Sequence, residues 1–280
     1  MFKRFQRAVS CGLLLSVVFV ASELLGVESP SLASSLPWIL LCGGLASLGM
    51  AALFGELVVL WRAWFLRGRE LSPETQQEIR GILAELGFNK PETVTLFECA
   101  PVGGKLYPRH GALSLLSLIK GRQIALTSQE AFNQLGRDEK RFLIGHEAVH
   151  IMRRHVLKMV IFAAFGAWLV TMPLFFLVPL YMQGSPWYLL FGLNMAIGYL
   201  VMGIAFFASM YISRANERQA DREGARFLNA ADGGVALMKR FKEDPVMQKV
   251  VVAYTSKWRQ LLLPHPSLDE RIALLEGEMR

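Results

Sequence analysis

The sequence predicts an α-helical integral membrane protein with four transmembrane helices and a mainly helical polar domain that contains a small β-sheet. Hydrophobic residues make up 53% of the 280 residues and the mean hydropathy is +0.35, values too apolar for a soluble domain of this size. No Asp, Glu, Lys or Arg occurs between Met159 and Ser213, which leaves room for two spans of about 20 to 25 residues. The polar segments carry mostly helical patterns, with two short strand-like runs.

Two further apolar stretches, Ala8 to Val27 and Pro37 to Trp61, complete the four spans. The polar piece Glu28 to Leu36 separates them, and Tyr181 to Trp187 forms the turn between the third and fourth spans. A cleaved signal peptide is the alternative for the first stretch, because basic residues precede it. No clean small-residue cleavage site follows and a second span comes at once, so we expect the first stretch to be retained.

The placement of Lys and Arg predicts that both termini and both polar segments are cytoplasmic, because positively charged loops stay on that side. Basic residues flank only one set of span ends: Lys3, Arg4, Arg7, Arg62, Arg67, Arg69, Arg153, Arg154, Lys158 and Arg214. In a bacterium this topology implies the inner membrane. The net charge of +7 then indicates attraction to anionic lipid headgroups, and nucleic acid is not expected as a partner.

This topology divides the chain into a transmembrane hairpin at 1–65, a first cytoplasmic part at 66–157, a second hairpin at 158–213 and a second cytoplasmic part at 214–280. The two cytoplasmic parts are expected to form one domain. The cysteines, Cys11, Cys42 and Cys99, lie in predicted spans or on the reducing side and do not indicate a disulfide framework.

The first cytoplasmic part opens with Ser72-Pro73-Glu74, which predicts an N-capped helix that ends at Gly87. Strand-like runs follow at Thr93 to Cys99 and Gln123 to Thr127, with a Gly- and Pro-containing loop between them. A long helix is predicted from about Asp138 into the third span. The second part predicts helices near Asn216 to Leu228, Asp232 to Lys242, Pro245 to Leu262 and Ser267 to Glu278.

His146, Glu147 and His150 form an HExxH motif on the long helix. Histidines four residues apart project from one face of a helix, close enough for both imidazoles to reach one zinc ion. Glu147 lies beside them and can take a proton from water that zinc acidifies. The alternative is two surface histidines, but the uncharged neighbours Leu143, Ile144, Ala148, Val149, Ile151 and Met152 favour a buried helix.

Catalytic zinc needs a third protein ligand. The extended motif HExxHxxGxxH is excluded, because Arg153 and Val156 stand where it needs Gly and His. His155 lies about 140° round the helix from His150, and we expect it to face lipid headgroups together with the neighbouring arginines.

The segment Ser213 to Ala225 offers a better third ligand. Glu217 and Asp221 are one helical turn apart, so Glu217 is placed to bind zinc while Asp221 accepts a hydrogen bond from a ligating imidazole. The alternative is a solvated helix face, with Arg214, Arg218 and Arg222 as ion-pair partners. Topology favours the ligand role, because the fourth span returns to Glu217 on the side from which the third span leaves.

HExxH before a two-span hairpin, then "SRANERQADREGA" from Ser213, then "HPSLDERI" from His265, resembles the HtpX family of membrane zinc metalloproteases, relatives of the CAAX prenyl protease. The resemblance covers essentially the whole chain. It implies a cytoplasmic zincin-type catalytic domain of the gluzincin type with one zinc ion per chain. The implied zinc ligands are His146, His150 and Glu217, and the implied general base is Glu147.

The same resemblance implies that His265 and Arg271 lie near the tetrahedral intermediate, as catalytic residues. The residues themselves also allow a simpler interpretation, because Ser267 and Glu270 form a capping-box pattern that starts a helix. The segment from Ala100 to Leu116 departs from the family, since it lacks the Asn-Ala-Phe type run expected there. Lys105, Arg109 and His110 in this segment belong either to a mobile flap or to an ordinary polar loop.

The expected function is a membrane-embedded zinc endopeptidase that acts on peptides or membrane proteins, with a quality-control role for damaged or unassembled proteins implied by the resemblance. We expect the zinc within about 15 Å of the hydrocarbon edge, and a substrate held extended against an edge strand such as Gln123 to Thr127. The alternatives are a processing protease for a specific, for example prenylated, peptide and a non-enzymatic scaffold with a structural zinc site. A transporter is disfavoured, because Glu23 and Glu56 are the only carboxylates in the predicted spans.

Overall fold

Helices and one small sheet make up the part of the chain that the computed structural model describes, which is residues 67–99, 108–117, 121–155, 158, 159, 162, 166, 187–245, 247, 248 and 262–279. The helices are α1 (Pro73–Glu85), α2 (Gln129–Asn133), α3 (Arg137–Met152), α4 (Trp187–Leu228), α5 (Ala231–Glu243) and α6 (Leu268–Glu278). The strands are β1 (Arg67–Glu70), β2 (Thr95–Cys99), β3 (Ala112–Ser117) and β4 (Gly121–Leu126). A mainly helical chain with a small sheet is therefore confirmed. The predicted helix Pro245 to Leu262 lies almost entirely outside the described residues.

The described residues fall into two compact units, divided between Lys158 and Met159 and again between Ser209 and Met210. The second division falls within α4. The larger unit carries the whole sheet together with α1, α2, α3, α5, α6 and the polar end of α4.

The sheet is mixed and has the strand order β1-β2-β4-β3. β2 and β4 pair in parallel, whereas β1 and β3 are antiparallel to their neighbours. The two predicted strand-like runs correspond to β2 and β4, while β1 and β3 were not predicted. The expectation that Gln123 to Thr127 forms an edge strand is wrong, because β4 pairs with β2 on one side and with β3 on the other.

Helix α1 follows the predicted local signals. The Ser72 hydroxyl accepts a hydrogen bond from Thr75 N at 3.3 Å, and Pro73 occupies the first helical position. Gly87, with a φ of 70°, follows the helix end as expected. The buried residues Ile79, Ile82 and Leu83 of α1 belong to the same hydrophobic core as α3.

Helix α3 does not run on into the third span. It ends at Met152, and Arg154 adopts a left-handed backbone with a φ of 53°, which interrupts an α-helix. A new turn starts there, since Lys158 N donates to Arg154 O at 3.1 Å. The prediction of one continuous helix is therefore wrong, and no glycine marked the break.

The backbones of α3 and α4 approach closely at a pair of glycines. A Cβ on Gly224 would lie 2.8 Å from His146 N, and a Cβ on Gly145 would lie 3.2 Å from Gly224 O. Such distances leave no space for a side chain at Gly224. The contact therefore fixes the position of α3 against the polar end of α4, directly beside His146.

The apolar part of α4 meets the expectation of a membrane span. Within the described residues, one helical segment, Ala196–Leu228, is long and apolar enough to cross a membrane. The predicted spans at 8–27 and 37–61, and nearly all of the third, lie outside the described residues.

Gly224→Ala tests the helix contact. We expect it to destabilise the fold by about 1 to 3 kcal/mol, because the added methyl meets backbone atoms that cannot move aside. Gly81→Ala is the matched control, since nothing lies within 4 Å of a Cβ there; it should stabilise α1 by about 0.5 to 1 kcal/mol. The measurement is unfolding of the full chain in detergent micelles. Equal effects of the two variants would contradict the close contact.

Candidate metal centre

Three ligand atoms converge between α3 and α4. His146 Nε2 lies 3.1 Å from His150 Nε2, and Glu217 places Oε2 3.5 Å from His146 Nε2 and Oε1 3.3 Å from His150 Nε2. His146, His150 and Glu217 are the group among the described residues that is arranged to hold a metal ion. The three residues that the sequence proposed as metal ligands therefore lie together in the structure.

The distances between these atoms suit a tetrahedral metal ion. Ligand atoms bonded at about 2.0 to 2.1 Å to one zinc ion stand about 3.3 to 3.4 Å apart. His150 Nε2 lies 3.1 Å from His146 Nε2 and 3.3 Å from Glu217 Oε1, close to this spacing. The other carboxylate oxygen, Oε2, lies 3.5 Å from His146 Nε2. Two imidazoles and one carboxylate are also a donor set that zinc accepts, with a fourth position left open. The residues present fit a catalytic type of zinc site.

Burial excludes the alternative of two surface histidines. His146, Glu147 and Glu217 are buried, and so are the predicted apolar neighbours Leu143, Ile144, Ala148, Val149 and Ile151. Met152, the last residue of α3, is the exception at 36% exposure. The metal cluster thus lies on a helix enclosed by apolar side chains.

Asp221 lies behind His146. It is 0% exposed, and its Oδ1 is 2.9 Å from His146 Nδ1, although that ring N–H does not point directly at the oxygen. Burial alone would lower the pKa of His146, but the Asp221 and Glu217 carboxylates raise it to about 10. These carboxylates strongly favour a proton or a cation at the ring.

Arg271 reaches the centre from α6 and binds Asp221 through two hydrogen bonds. Its Nε donates to Oδ2 at 2.7 Å and a terminal nitrogen donates to Oδ1 at 2.6 Å. The other terminal nitrogen is 3.9 Å from Glu217 Oε2. Burial opposes the charge, yet Asp221, Glu217 and Glu147 together raise the pKa of Arg271. The guanidinium therefore neutralises buried carboxylates behind the ligands.

His265 stands at the open side of the cluster. Its Nδ1 lies 3.1 Å from Glu217 Oε2, and its side chain is 56% exposed. Two residues later, the Ser267 hydroxyl accepts from Glu270 N at 3.2 Å and caps α6. The capping interpretation of this motif is thus confirmed, and the same segment brings His265 and Arg271 to the cluster.

Three arginines of α4 pair with acidic residues of α6. Arg218 pairs with Glu270 at 2.9 Å, Arg222 lies 3.6 Å from Glu278, and Arg226 also pairs with Glu278. The predicted row of arginines on α4 therefore forms ion pairs, but its partners lie on α6. Glu217 and Asp221 lie against the histidines instead.

The sequence interpretation of His155 is wrong. His155 is 3% exposed, and its Nδ1 lies 2.9 Å from His150 Nδ1 while its Nε2 lies 3.3 Å from Gln219 Oε1. Burial and the neighbouring His150 lower the pKa of His155 to about 4. The left-handed residue Arg154 turns the chain so that His155 faces His150, which helical spacing could not reveal.

The segment that differs from the family pattern, Ala100 to Leu116, makes its described contacts away from the metal cluster. Arg109 N donates to Asp244 Oδ2 at 2.8 Å, and the Arg109 side chain is 3.8 Å from Glu130 Oε2. His110 is half-buried beside these groups. These contacts favour an ordinary polar loop over a flap, while Lys105 lies outside the described residues.

The cluster of His146, His150 and Glu217 is compatible with a metalloprotease. The model of peptidase family M48 matches residues 116–279, more than half of the 280 residues, and the chain therefore belongs to peptidase family M48. The resemblance predicted from the motifs is confirmed at this level.

A solved structure shares the fold. The crystal structure of S. mikatae Ste24p superposes with a TM-score of 0.57 at 16% sequence identity, over 98% of this chain and 64% of that one. The chain thus spans just under two thirds of the length of that Ste24p chain. No curated protein sequence gives a match.

The Asp221–Arg271 contact makes a prediction about stability. Arg271→Gln should destabilise the metal-free protein by about 3 to 5 kcal/mol, because it leaves a buried carboxylate without its cation. Adding Asp221→Asn should recover part of that loss. Arg218→Gln is the control, since removing a half-exposed pair costs at most about 1 kcal/mol. Chemical unfolding of the full chain in detergent with chelator measures all three, and equal losses from Arg271→Gln and Arg218→Gln would refute the assignment.

Proposed function

We propose that the chain is a membrane-embedded zinc endopeptidase that hydrolyses peptide bonds on the cytoplasmic side of its membrane. The convergence of His146, His150 and Glu217 carries this proposal. Glu147 beside the ligands supports an enzyme over a scaffold, because a structural site needs no base. When bound, zinc would polarise the peptide carbonyl and acidify a water molecule.

Each neighbouring residue has a role that follows from its contacts. Glu147 takes the proton of the attacking water on its carboxylate and passes it to the leaving amine. Asp221, held by Arg271, orients His146. His265, exposed beside Glu217, is positioned to donate a hydrogen bond to the developing oxyanion. Arg271 contributes positive charge from behind the carboxylates rather than from the open side.

The substrate is proposed to bind as an extended strand along β3. Within the described residues β3 pairs on one side only, with β4, and β3 packs against the helix that carries the histidines. A sheet edge can hydrogen-bond an added strand along its whole length. Peptide length would then matter for binding, as expected of an endopeptidase.

The site is proposed to serve membrane proteins. Glu217 follows Ser213, the last residue of the uncharged stretch, by four residues on the continuous helix α4, a rise of about 6 Å. A metal centre so close to the end of an apolar helix favours cytoplasmic loops that emerge from lipid as substrates. Damaged or unassembled membrane proteins fit this description, which supports a quality-control role.

The topology completes the proposal. The distribution of Lys and Arg supports a chain with four spans. The spans form hairpins at 1–65 and 158–213, and the cytoplasmic parts are 66–157 and 214–280. Both termini are then cytoplasmic and, in a bacterium, the protein lies in the inner membrane.

Glu147→Gln tests the hydrolytic mechanism. We expect peptide hydrolysis to fall by about a hundredfold or more, because the base is lost, while zinc content stays at one ion per chain. Glu217→Ala is the control that should lose zinc as well as activity. The assay is cleavage of an unfolded model protein by the purified full chain, with metal analysis of each variant. Undiminished cleavage by Glu147→Gln would refute the mechanism.

The same variant identifies the substrate. Purified with zinc from its own cells, Glu147→Gln should retain uncleaved, unassembled membrane proteins, which mass spectrometry can identify. Capture of one defined, lipid-modified peptide instead would replace quality control with specific processing.

Single cysteines test the topology in a chain that lacks Cys11, Cys42 and Cys99. A cysteine at Ser185, in the predicted external turn, should react with an impermeant reagent from outside sealed cells. A cysteine at the exposed Glu276 of α6 should react only after the membrane is opened. Labelling of both positions from the same side would contradict the proposed arrangement.

A further inference from the structure

A chain of hydrogen bonds links the surface of α4 to the partly buried imidazole of His150. Arg153 Nε donates to Glu223 Oε2 at 2.7 Å, and Gln219 Nε2 donates to Glu223 Oε1 at 2.7 Å. A carboxylate only accepts hydrogen bonds. The Gln219 amide nitrogen must therefore face Glu223, which turns Gln219 Oε1 towards His155.

The direction of the remaining bonds follows from this amide. Gln219 Oε1 lies 3.3 Å from His155 Nε2 and only accepts, so His155 carries its proton on Nε2. A neutral imidazole has one N–H, and His155 is buried between an amide and another imidazole. His155 Nδ1 is therefore an acceptor, and His150 Nδ1 at 2.9 Å must donate to it.

This direction leaves the other nitrogen of His150 free of hydrogen. With its proton on Nδ1, His150 directs the lone pair of Nε2 to the point shared with His146 Nε2 and Glu217 Oε1, 3.1 and 3.3 Å away. That tautomer is the form in which an imidazole binds a metal through Nε2.

The backbone supports the same assignment. Arg154 adopts a left-handed conformation that is uncommon for a residue other than glycine, and this turn brings His155 back onto His150. Helical continuation would have placed His155 about 140° away. The break in the helix at Arg154 thus brings the imidazole rings of His155 and His150 into contact.

We propose that His155 is a positioning residue that, through the Gln219–Glu223 pair, holds His150 in the tautomer that binds metal. The inference rests on the proposed zinc site and extends it. His146 is oriented by the charged carboxylate of Asp221, whereas His150 is oriented by a neutral ring. The two histidine ligands therefore depend on different partners.

Zinc affinity tests the proposal without any peptide substrate. The full chain in detergent is titrated with zinc against a chromophoric chelator. His155→Leu should bind zinc about 10 to 100-fold more weakly, because it removes the acceptor that orients His150. His155→Asn should recover most of the affinity, since its Oδ1 occupies the position of the histidine Nδ1 and can accept from His150 Nδ1. Arg218→Gln, on the same helix but paired with Glu270, should bind zinc as the unmodified protein does.

The tautomers give a second readout that a purely structural role would not change. The chain has five histidines, so nitrogen-15 labelling of histidine yields a simple spectrum of the zinc-loaded protein. The spectrum should show His155 protonated on Nε2 and His150 protonated on Nδ1. Gln219→Met, at a half-exposed position, should weaken zinc binding and populate both tautomers of His155, which keeps the test available if His155→Leu does not fold.

The outcomes separate this inference from the proposed function. Unchanged zinc affinity in folded His155→Leu, or in Gln219→Met, overturns the role of His155 alone. A His155 proton on Nδ1 in the unmodified protein does the same. Absence of zinc binding by the unmodified chain overturns the proposed function and this inference with it.

Discussion

The close backbone contact between Gly145 and Gly224 sets the geometry on which the candidate metal centre depends. A metal ion requires its ligands within a few tenths of an ångström of their places, and helices that pack through side chains lie about 8 to 10 Å apart. With both glycines at the crossing, the histidines of α3 and the carboxylates of α4 meet without an intervening side chain. The separation that the ligands need is thus built into the backbone.

The same crossing concentrates negative charge where water is excluded. Glu147, Glu217 and Asp221 are all buried, and buried carboxylates are unstable without compensating charge. Arg271 supplies it through a bidentate contact with Asp221. Helix α6 is therefore part of the centre, although it contributes no ligand. The metal ion would supply the remaining positive charge, which links metal binding to the stability of this unit.

The two histidine ligands receive different support from the protein. Asp221 favours positive charge on His146, whereas the buried His155 offers His150 a neutral acceptor. An anionic partner raises the basicity of a ligand, and a neutral partner orients it with less effect on charge. The two imidazoles are therefore oriented by partners of different charge.

Local signals in the sequence determined much of this protein. The spacing of His146 and His150 and the Ser72 cap each act over four residues or fewer, and both appear in the structure. Glu217 and Asp221 are one helical turn apart, and both lie against His146. Helical periodicity and capping are properties of short segments, so a single sequence is enough to recognise them.

Only the tertiary structure decided the strand order, the end of α3 and the contacts of His155 and Arg271. Strand pairing depends on contacts between separate segments. The sequence therefore predicted a loop at Ala112 to Ser117, whereas the structure shows strand β3 paired with β4. No residue near Arg154 predicts its left-handed backbone. The unfavourable backbone conformation is offset by the His155–His150 contact, which forms only in the folded protein. Arg271 lies 50 residues from Asp221, and whether its charge faces substrate or a buried carboxylate depends on how α6 packs, which spacing along the chain does not encode.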